Sequence, residues 1–148
     1  MQSQARTSSS ETAILIGGNQ ADKNHLALAL APAGVELVNQ QALASNFMQA
    51  ILEQDPDLLL MLLPASDCMQ HLALDQLARL GRIKGFPTLC FLSATPTPEF
   101  VRRIWIAGVD VCIDYNYPAH ALKAAELMGY INCAQRHFYQ SELQQRSL

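Results

Sequence analysis

The sequence predicts a three-layer α/β sandwich, with a parallel sheet of five strands in the order 2-1-3-4-5. Short apolar runs alternate with helical patterns along the chain, as repeated β-α units do. The run Leu58–Leu63 is apolar at every residue, which is typical of a central strand covered on both faces. Parallel strands need crossovers, and right-handed crossovers place helices on both faces of the sheet. Together these observations predict the flavodoxin-like (βα)5 arrangement.

Five strands and five helices alternate in the prediction, with turn-forming residues between them. The predicted strands are Thr12–Ile16, Val35–Val38, Leu58–Leu63, Thr88–Leu92 and Val109–Ile113. The predicted helices are Asp22–Ala33, Leu43–Gln54, Cys68–Leu80, Pro98–Ala107 and Ala119 to about Gln145. The last helix is longer than the fold requires.

The 148 residues and the hydrophobic half of the composition suit a single domain with a normal core. Residues 1–11 are expected to form a flexible leader, residues 12–130 the folded domain, and residues 131–148 a helical extension. Two interpretations of the extension remain open. It either dimerises the chain or links it to an output domain outside this sequence.

Composition and charge disfavour several function classes. Only 16% of the residues are charged and the net charge is −3. The chain therefore lacks the positive electrostatic potential that direct nucleic-acid binding needs. No apolar run approaches the roughly 18–20 residues of a membrane helix, and the polar leader does not resemble a secretory signal. A cytoplasmic location is expected.

Cysteines and histidines are scattered, which argues against a metal site. Cys68, Cys90, Cys112 and Cys133 form no C-x-x-C pair, so we expect free thiols rather than disulfides or zinc ligands. His25, His71, His120 and His137 lie on separate predicted helices without ligand spacing. We predict no metal and no cofactor.

Several short segments carry a family resemblance through their order and spacing. They are Pro56–Leu60 at the start of the third strand, Leu63–Asp67 after it, Phe91–Ala94 at the end of the fourth, and Gly108–Asp110 at the start of the fifth. The stretch from Thr12 to Gly129 thereby resembles the receiver domain of response regulators in two-component signal transduction and phosphorelay.

The resemblance implies a phosphorylation site whose residues this sequence lacks. Receivers carry two acidic metal ligands, a phospho-acceptor aspartate and a lysine. The acidic pair maps onto Gly17 and Gly18, and the lysine onto Tyr115. The acceptor maps onto Leu62, or onto Leu60 if the following turn is shortened. The switch hydroxyl alone is retained, as Ser93. We therefore predict a degenerate pseudo-receiver, a signalling module that is not an enzyme.

Two sets of apolar residues are predicted interface residues. In receivers, the surface of helix four, strand five and helix five commonly mediates dimers. A helix cannot bury Ile104, Trp105 and Ile106 equally, although a core position for Trp105 is an equally good interpretation. On the last helix, the predicted interface stripe contains Leu127, Ile131 and Phe138. The expected partner is a second copy, another protein or an attached output domain.

A second hypothesis is a small-ligand sensor that uses the vacated receiver pocket. Gly17, Gly18, Ser93 and Asn116 would contact an anion or nucleotide, while Leu62 and Tyr115 would favour a partly apolar ligand. For Gly17–Asn19, a plain turn is the stronger interpretation, because G-G-N-Q-A-D lacks the G-x-G-x-x-G spacing. A third hypothesis, a flavodoxin-like enzyme, is disfavoured because no catalytic set converges.

Overall fold

A parallel five-stranded sheet organises the chain, with β2-β1-β3-β4-β5 as its strand order. The computed structural model describes residues 11–43, 45–63, 74–79, 85–92, 97–114 and 123–147. The strands are β1 (Glu11–Ile16), β2 (Val35–Gln41), β3 (Leu58–Leu63), β4 (Thr88–Leu92) and β5 (Val111–Asp114). Every pair of neighbouring strands is parallel, which confirms the predicted fold class and strand order.

Helices cover both faces of this sheet. They are α1 (Gln20–Leu30), α2 (Phe47–Gln54), α3 (residues 74–79, the described part of the predicted third helix), α4 (Pro98–Ile106) and α5 (Ala124–Ser147). A short 3-10 helix, Ala31–Ala33, follows α1. At the start of α1, Asn19 and Asp22 form a reciprocal capping box, so the helix begins at Gln20 rather than at Asp22.

The strands bury alternate side chains in two clusters, one on each face of the sheet. All six residues of β3 are buried, as the uninterrupted apolar run predicts. One cluster joins the sheet to α2, α3 and α4, and it includes Phe47, Ile51, Leu74, Leu77 and Ile104. The other joins the sheet to α1 and α5, and it includes Leu26, Leu30, Leu127, Ile131 and Ala134. The helices therefore form the two outer layers of the sandwich.

Three further differences from the predicted element boundaries have a local structural cause. β2 continues to Gln41 because its pairing with β1 resumes after a register shift opposite Ala13 and Ile14. α2 begins at Phe47 instead of Leu43 because Ser45 turns the chain there, its backbone N–H donating to Ala42 O at 3.0 Å. β5 begins after Val109, whose N–H donates back to Ile104 O at the end of α4.

α5 is a continuous helix of 24 residues, about 36 Å long at 1.5 Å per residue. It passes through position 130 without a break, and Ile131 and Ala134 pack into the sheet core. Tyr139 and Leu143 are exposed beyond Phe138. The end of contact with the core therefore lies near Phe138.

Candidate functional site

The carboxyl end of β1 meets the carboxyl end of β3 at the place where ligands bind in sheets of this topology. Ile16 is in register with Met61, so Gly17 and Gly18 come next to Leu62. Ser93, Tyr115 and Asn116, the other predicted residues of this site, lie outside the described residues. The predicted site residues that the structure describes here, Gly17, Gly18 and Leu62, therefore bring only glycine and an aliphatic side chain.

Gly17 is in close contact with the backbone of β3. Its φ is +91°, a backbone conformation that residues other than glycine rarely adopt. A Cβ on Gly17 would lie 2.5 Å from the carbonyl oxygen of Leu62 and 3.1 Å from Cγ of Leu43. A carboxylate side chain therefore does not fit at this position without movement of β3.

Gly18 is restricted in the same two ways. Its φ is +80°, and a Cβ there would lie 2.6 Å from Cδ1 of Leu62. The same Cβ would lie 3.1 Å from both Cβ and Oδ2 of Asp22. The space that a side chain would use is already filled by Leu62 and by the first turn of α1.

Asp22 is an acidic residue beside Gly18 that the sequence interpretation did not assign to the site. Its Oδ2 accepts a hydrogen bond from Asn19 N at 2.8 Å, and Asn19 Oδ1 accepts from Asp22 N at 2.9 Å. The spacing Asn19-x-x-Asp22 is a helix-capping pattern that the sequence alone could have revealed. This carboxylate is engaged in the cap of α1.

The two candidate acceptor positions lie at different depths of β3. Leu60 is fully buried in the middle of the strand and belongs to the sheet core. Leu62 lies at the carboxyl end of β3, beside Gly17, and is slightly exposed. Neither side chain offers an oxygen.

The predicted interface residues of α4 divide according to helical geometry. Ile104 is fully buried in the sheet core, whereas Trp105 is 45% exposed and Ile106 is 75% exposed. On α5, by contrast, Leu127, Ile131 and Phe138 are all buried against the domain. Trp105 and Ile106 are therefore the predicted interface residues that reach the surface, and the other four belong to the core.

A pair of side chains that the sequence interpretation missed links α5 to the start of β5. His137 Nδ1 lies 2.8 Å from Oδ1 of Asp110, and the Trp105 ring lies 6.3 Å from the His137 ring. The backbone N–H of Thr88 donates to Oδ2 of Asp110 at 2.8 Å. Sequence separation hid this arrangement, since Asp110 and His137 are 27 residues apart.

Within the described ranges, no three or more His, Cys, Asp or Glu residues come together as metal ligands. None of the described helices combines the length and the apolar character needed to cross a bilayer. The chain matches no protein-family model, and no curated protein matches it in sequence.

Solved structures with the same fold are numerous among receiver domains. The signal receiver domain of a modulated diguanylate cyclase from Desulfovibrio desulfuricans has a TM-score of 0.66 at 14% identity, covering 89% of this chain and 98% of that one. A CheY-like response regulator receiver domain protein from Methanospirillum hungatei gives 0.65 at 16%, covering 90% and 99%.

A protein from Burkholderia pseudomallei that is described as pilus assembly-related has the same fold. Its TM-score is 0.67 at 18% identity, covering 86% of this chain and 90% of that one. Identities this low show the fold alone. The chain has the same fold as these receiver domains.

Proposed function

We propose that this chain is a receiver-fold regulatory module that works through protein contacts and does not accept a phosphoryl group. The observation that carries the proposal is the closed space at Gly17 and Gly18. Both have positive φ values, and both would place a Cβ within 2.6 Å of an atom of Leu62. The carboxylates that receivers use there have been replaced by glycines, and neighbouring residues occupy their space.

Phosphoryl transfer to an aspartate needs a metal ion to offset the charge of the phosphate, and Mg²⁺ takes oxygen ligands. Gly17 and Gly18 supply no side-chain oxygen. Neither Leu62 nor Leu60, the two acceptor positions that the resemblance implies, can form an acyl phosphate. The lysine position is also replaced, by Tyr115. Because the acidic pair, the acceptor and the lysine are replaced together, a merely weakened phosphorylation switch is disfavoured.

Incubation of the full chain with acetyl phosphate and Mg²⁺ tests this proposal. Intact-mass spectrometry is expected to show no phosphorylated species, and beryllofluoride is expected to leave the oligomeric state unchanged. A receiver domain with the complete acidic set, treated identically, is the positive control. A stoichiometric, Mg²⁺-dependent and hydroxylamine-labile adduct would overturn the proposal.

The contact surface that we propose is formed by α4, β5 and α5. Trp105 and Ile106 are exposed on α4 there, and an aromatic residue at the centre of a surface patch is a common anchor for a protein partner. The proposed partner is a second copy or an output protein. We further propose that the part of α5 beyond Phe138, with exposed Tyr139 and Leu143, continues towards that partner.

The packing at Gly17 and Gly18 argues against the alternative of a small-ligand sensor in the vacated pocket. Leu43 and Leu62 occupy the space on the side-chain side of these glycines and offer no polar atom from their side chains to an anion or nucleotide. A thermal-shift screen with nucleotides and cyclic dinucleotides separates the two hypotheses. Saturable stabilisation by one of them, lost in a Leu43→Lys variant that remains folded, would favour the sensor.

Pilus assembly is the cellular setting that we propose to test first. The observation that favours it is the fold shared with the pilus assembly-related protein of Burkholderia pseudomallei, at a TM-score of 0.67. Deletion of the gene in its native host is expected to reduce the number of surface pili, with restoration by the intact gene. Unchanged piliation would direct the search to another regulatory system.

A further inference from the structure

A polar cavity of about 290 Å³ opens between the carboxyl half of β2 and helix α2. It borders Gly17, whose backbone N–H donates to the lining residue Gln41 O at 2.8 Å, and it lies at the edge of the sheet opposite β5. Six of its seven lining residues are polar, and five of these carry carboxamide groups. The lining residues are Asn39, Gln41, Asn46, Gln49, Ala50, Glu53 and Gln54.

Hydrogen bonds among the carboxamides hold one wall of the cavity in place. Asn39 Nδ2 donates to Gln54 Oε1 at 2.9 Å, which links β2 to α2. Gln41 Nε2 donates to Asn39 Oδ1 at 3.1 Å, which continues the row along the strand. A carboxamide presents one acceptor oxygen and two donor hydrogens, and a peptide group presents the same kinds of partner without net charge. The wall therefore matches the chemistry of a peptide main chain.

β2 is also the edge strand of the sheet. It pairs with β1 on one side, and no described residue pairs with it on the other. The backbone polar groups along such an edge are ready to pair with an extended peptide. A peptide added beside β2 would pass along the mouth of the amide-lined cavity.

The segment that forms β2 and α2 carries charge of one sign. Residues 35–57 contain Glu36, Glu53, Asp55 and Asp57 but no lysine or arginine. All four are exposed, and Asp57 also accepts a hydrogen bond from Thr12 N at 2.8 Å. Complementary potentials guide partners and reject those of like charge, so this edge favours a positively charged segment.

We propose that the β2 edge and the amide-lined cavity bind an extended, basic segment of a partner protein by strand addition. The main chain of the segment pairs with β2 and with the carboxamides, and a lysine or arginine of the segment meets Glu53. This site lies at the opposite edge of the sheet from β5. It is independent of the proposed loss of phosphorylation, and either proposal can fail without the other.

The test uses the full chain, labelled with ¹⁵N, and three synthetic seven-residue peptides. The first alternates lysine and valine, the second has proline at its central valine, and the third has glutamate in place of lysine. The first peptide is expected to shift the backbone amide resonances of Val35–Gln41 with saturation. The proline peptide breaks main-chain pairing, and the acidic peptide has the wrong charge, so both are expected to bind much more weakly.

A matched pair of variants separates specific contact from general charge attraction. Glu53→Gln is expected to weaken binding of the lysine-valine peptide by about two- to fivefold, as loss of one exposed ion pair does. Glu99→Gln removes the same charge from the exposed start of α4 and is expected to leave binding unchanged. Equal binding of the proline peptide, or equal effects of the two variants, would overturn the proposal.

The same experiment detects a second copy as the occupant of the edge. If the β2 amide resonances shift, or gain protection from hydrogen exchange, as the concentration of the chain alone is raised, then β2 pairs with itself. That result would replace the partner segment with a homodimer. An absence of β2 shifts with every peptide at millimolar concentration would also overturn the proposal.

Discussion

His137 Nδ1 lies 2.8 Å from the buried Asp110 Oδ1, and this contact ties the middle of α5 to the turn before β5. The Asp110 side chain is 5% exposed, while that of His137 is 51% exposed. The buried carboxylate is therefore paired with a half-exposed imidazole. The other oxygen of Asp110 accepts from the backbone of Thr88, at the first residue of β4. One carboxylate thus joins β4, β5 and α5.

Replacing His137 with alanine should lower the free energy of unfolding by about 1–3 kcal/mol, because a buried carboxylate oxygen loses its donor. Urea denaturation measures the change. Arg136→Ala, at the adjacent exposed position of α5, is the control and should change stability by less than about 0.5 kcal/mol. Equal effects of the two variants would show that the contact with Asp110 does not stabilise the fold.

Gly17→Ala should destabilise the chain by about 2–4 kcal/mol, since it combines an unfavourable φ with overlap against the backbone of Leu62. Gly129→Ala, in α5, has no atom within 4 Å of its new Cβ. Alanine is the better helix former, so this variant should gain about 0.5–1 kcal/mol. Thermal and urea unfolding of both variants check the opposite signs; a neutral Gly17→Ala would contradict the closed site.

The same geometry predicts that acidic substitutions cannot restore the site directly. A Gly17→Asp, Gly18→Asp double variant should fold poorly and should remain unmodified by acetyl phosphate.

Ile104→Ala should cost about 2–5 kcal/mol, because it leaves a cavity among buried neighbours of α4 and the sheet. Ile106→Ala removes the same atoms from a side chain that is 75% exposed, and it should change stability by less than about 0.5 kcal/mol. Equilibrium unfolding of this matched pair measures the difference. Similar losses of stability for both variants would contradict the assignment of Ile104 to the buried face and Ile106 to the exposed face of α4.

Cys90 should resist alkylation in the native chain while the exposed Cys133 reacts. Burial raises the pKa of the Cys90 thiol well above its ordinary value, and a hydrogen bond with Cys112 adds to the effect. The thiolate is the reactive form, so Cys90 remains both unionised and inaccessible. Iodoacetamide labelling with peptide mass spectrometry, before and after unfolding, measures the contrast. Rapid labelling of native Cys90 would contradict its burial.

The raised pKa of Cys90 also fixes the sign of a pH effect on stability. Below the ordinary thiol pKa of about 8.5, the Cys90 thiol is neutral in both the folded and the unfolded chain. Its contribution to the free energy of unfolding is then at its full value. Above it the unfolded chain ionises first, and stability falls as the pH rises towards the folded value. The fall should be smaller in Cys90→Ala, measured by urea unfolding between pH 7.5 and pH 9.5.

Trp105→Ala should weaken any association through the surface of α4, β5 and α5 more than it weakens the fold. Light scattering after gel filtration, over a range of concentrations, measures association of the chain. Leu52→Ala removes an exposed apolar side chain from α2 and is the control. If the native chain is monomeric, capture of an output protein provides the readout. Equal association or capture by both variants would remove Trp105 from the proposed interface.

The sequence by itself was sufficient for the class of fold and the order of the strands. Leu58–Leu63 and Thr88–Leu92 were predicted with the bounds that the structure has, because a strand buried on both faces must be apolar throughout. The helices that connect parallel strands followed from the same pattern. The glycines after β1 were also visible as residues unable to supply carboxylates.

Tertiary structure decided the features that depend on distant contacts. The length of β2 depends on pairing with β1 across a register shift, and the start of α2 on a local turn at Ser45, neither of which apolar spacing encodes. Whether the space beside Gly17 is open or closed depends on Leu62, 45 positions along the chain. Side-chain pairs such as Asp110 with His137 form only when folded elements bring together residues that no periodic pattern relates.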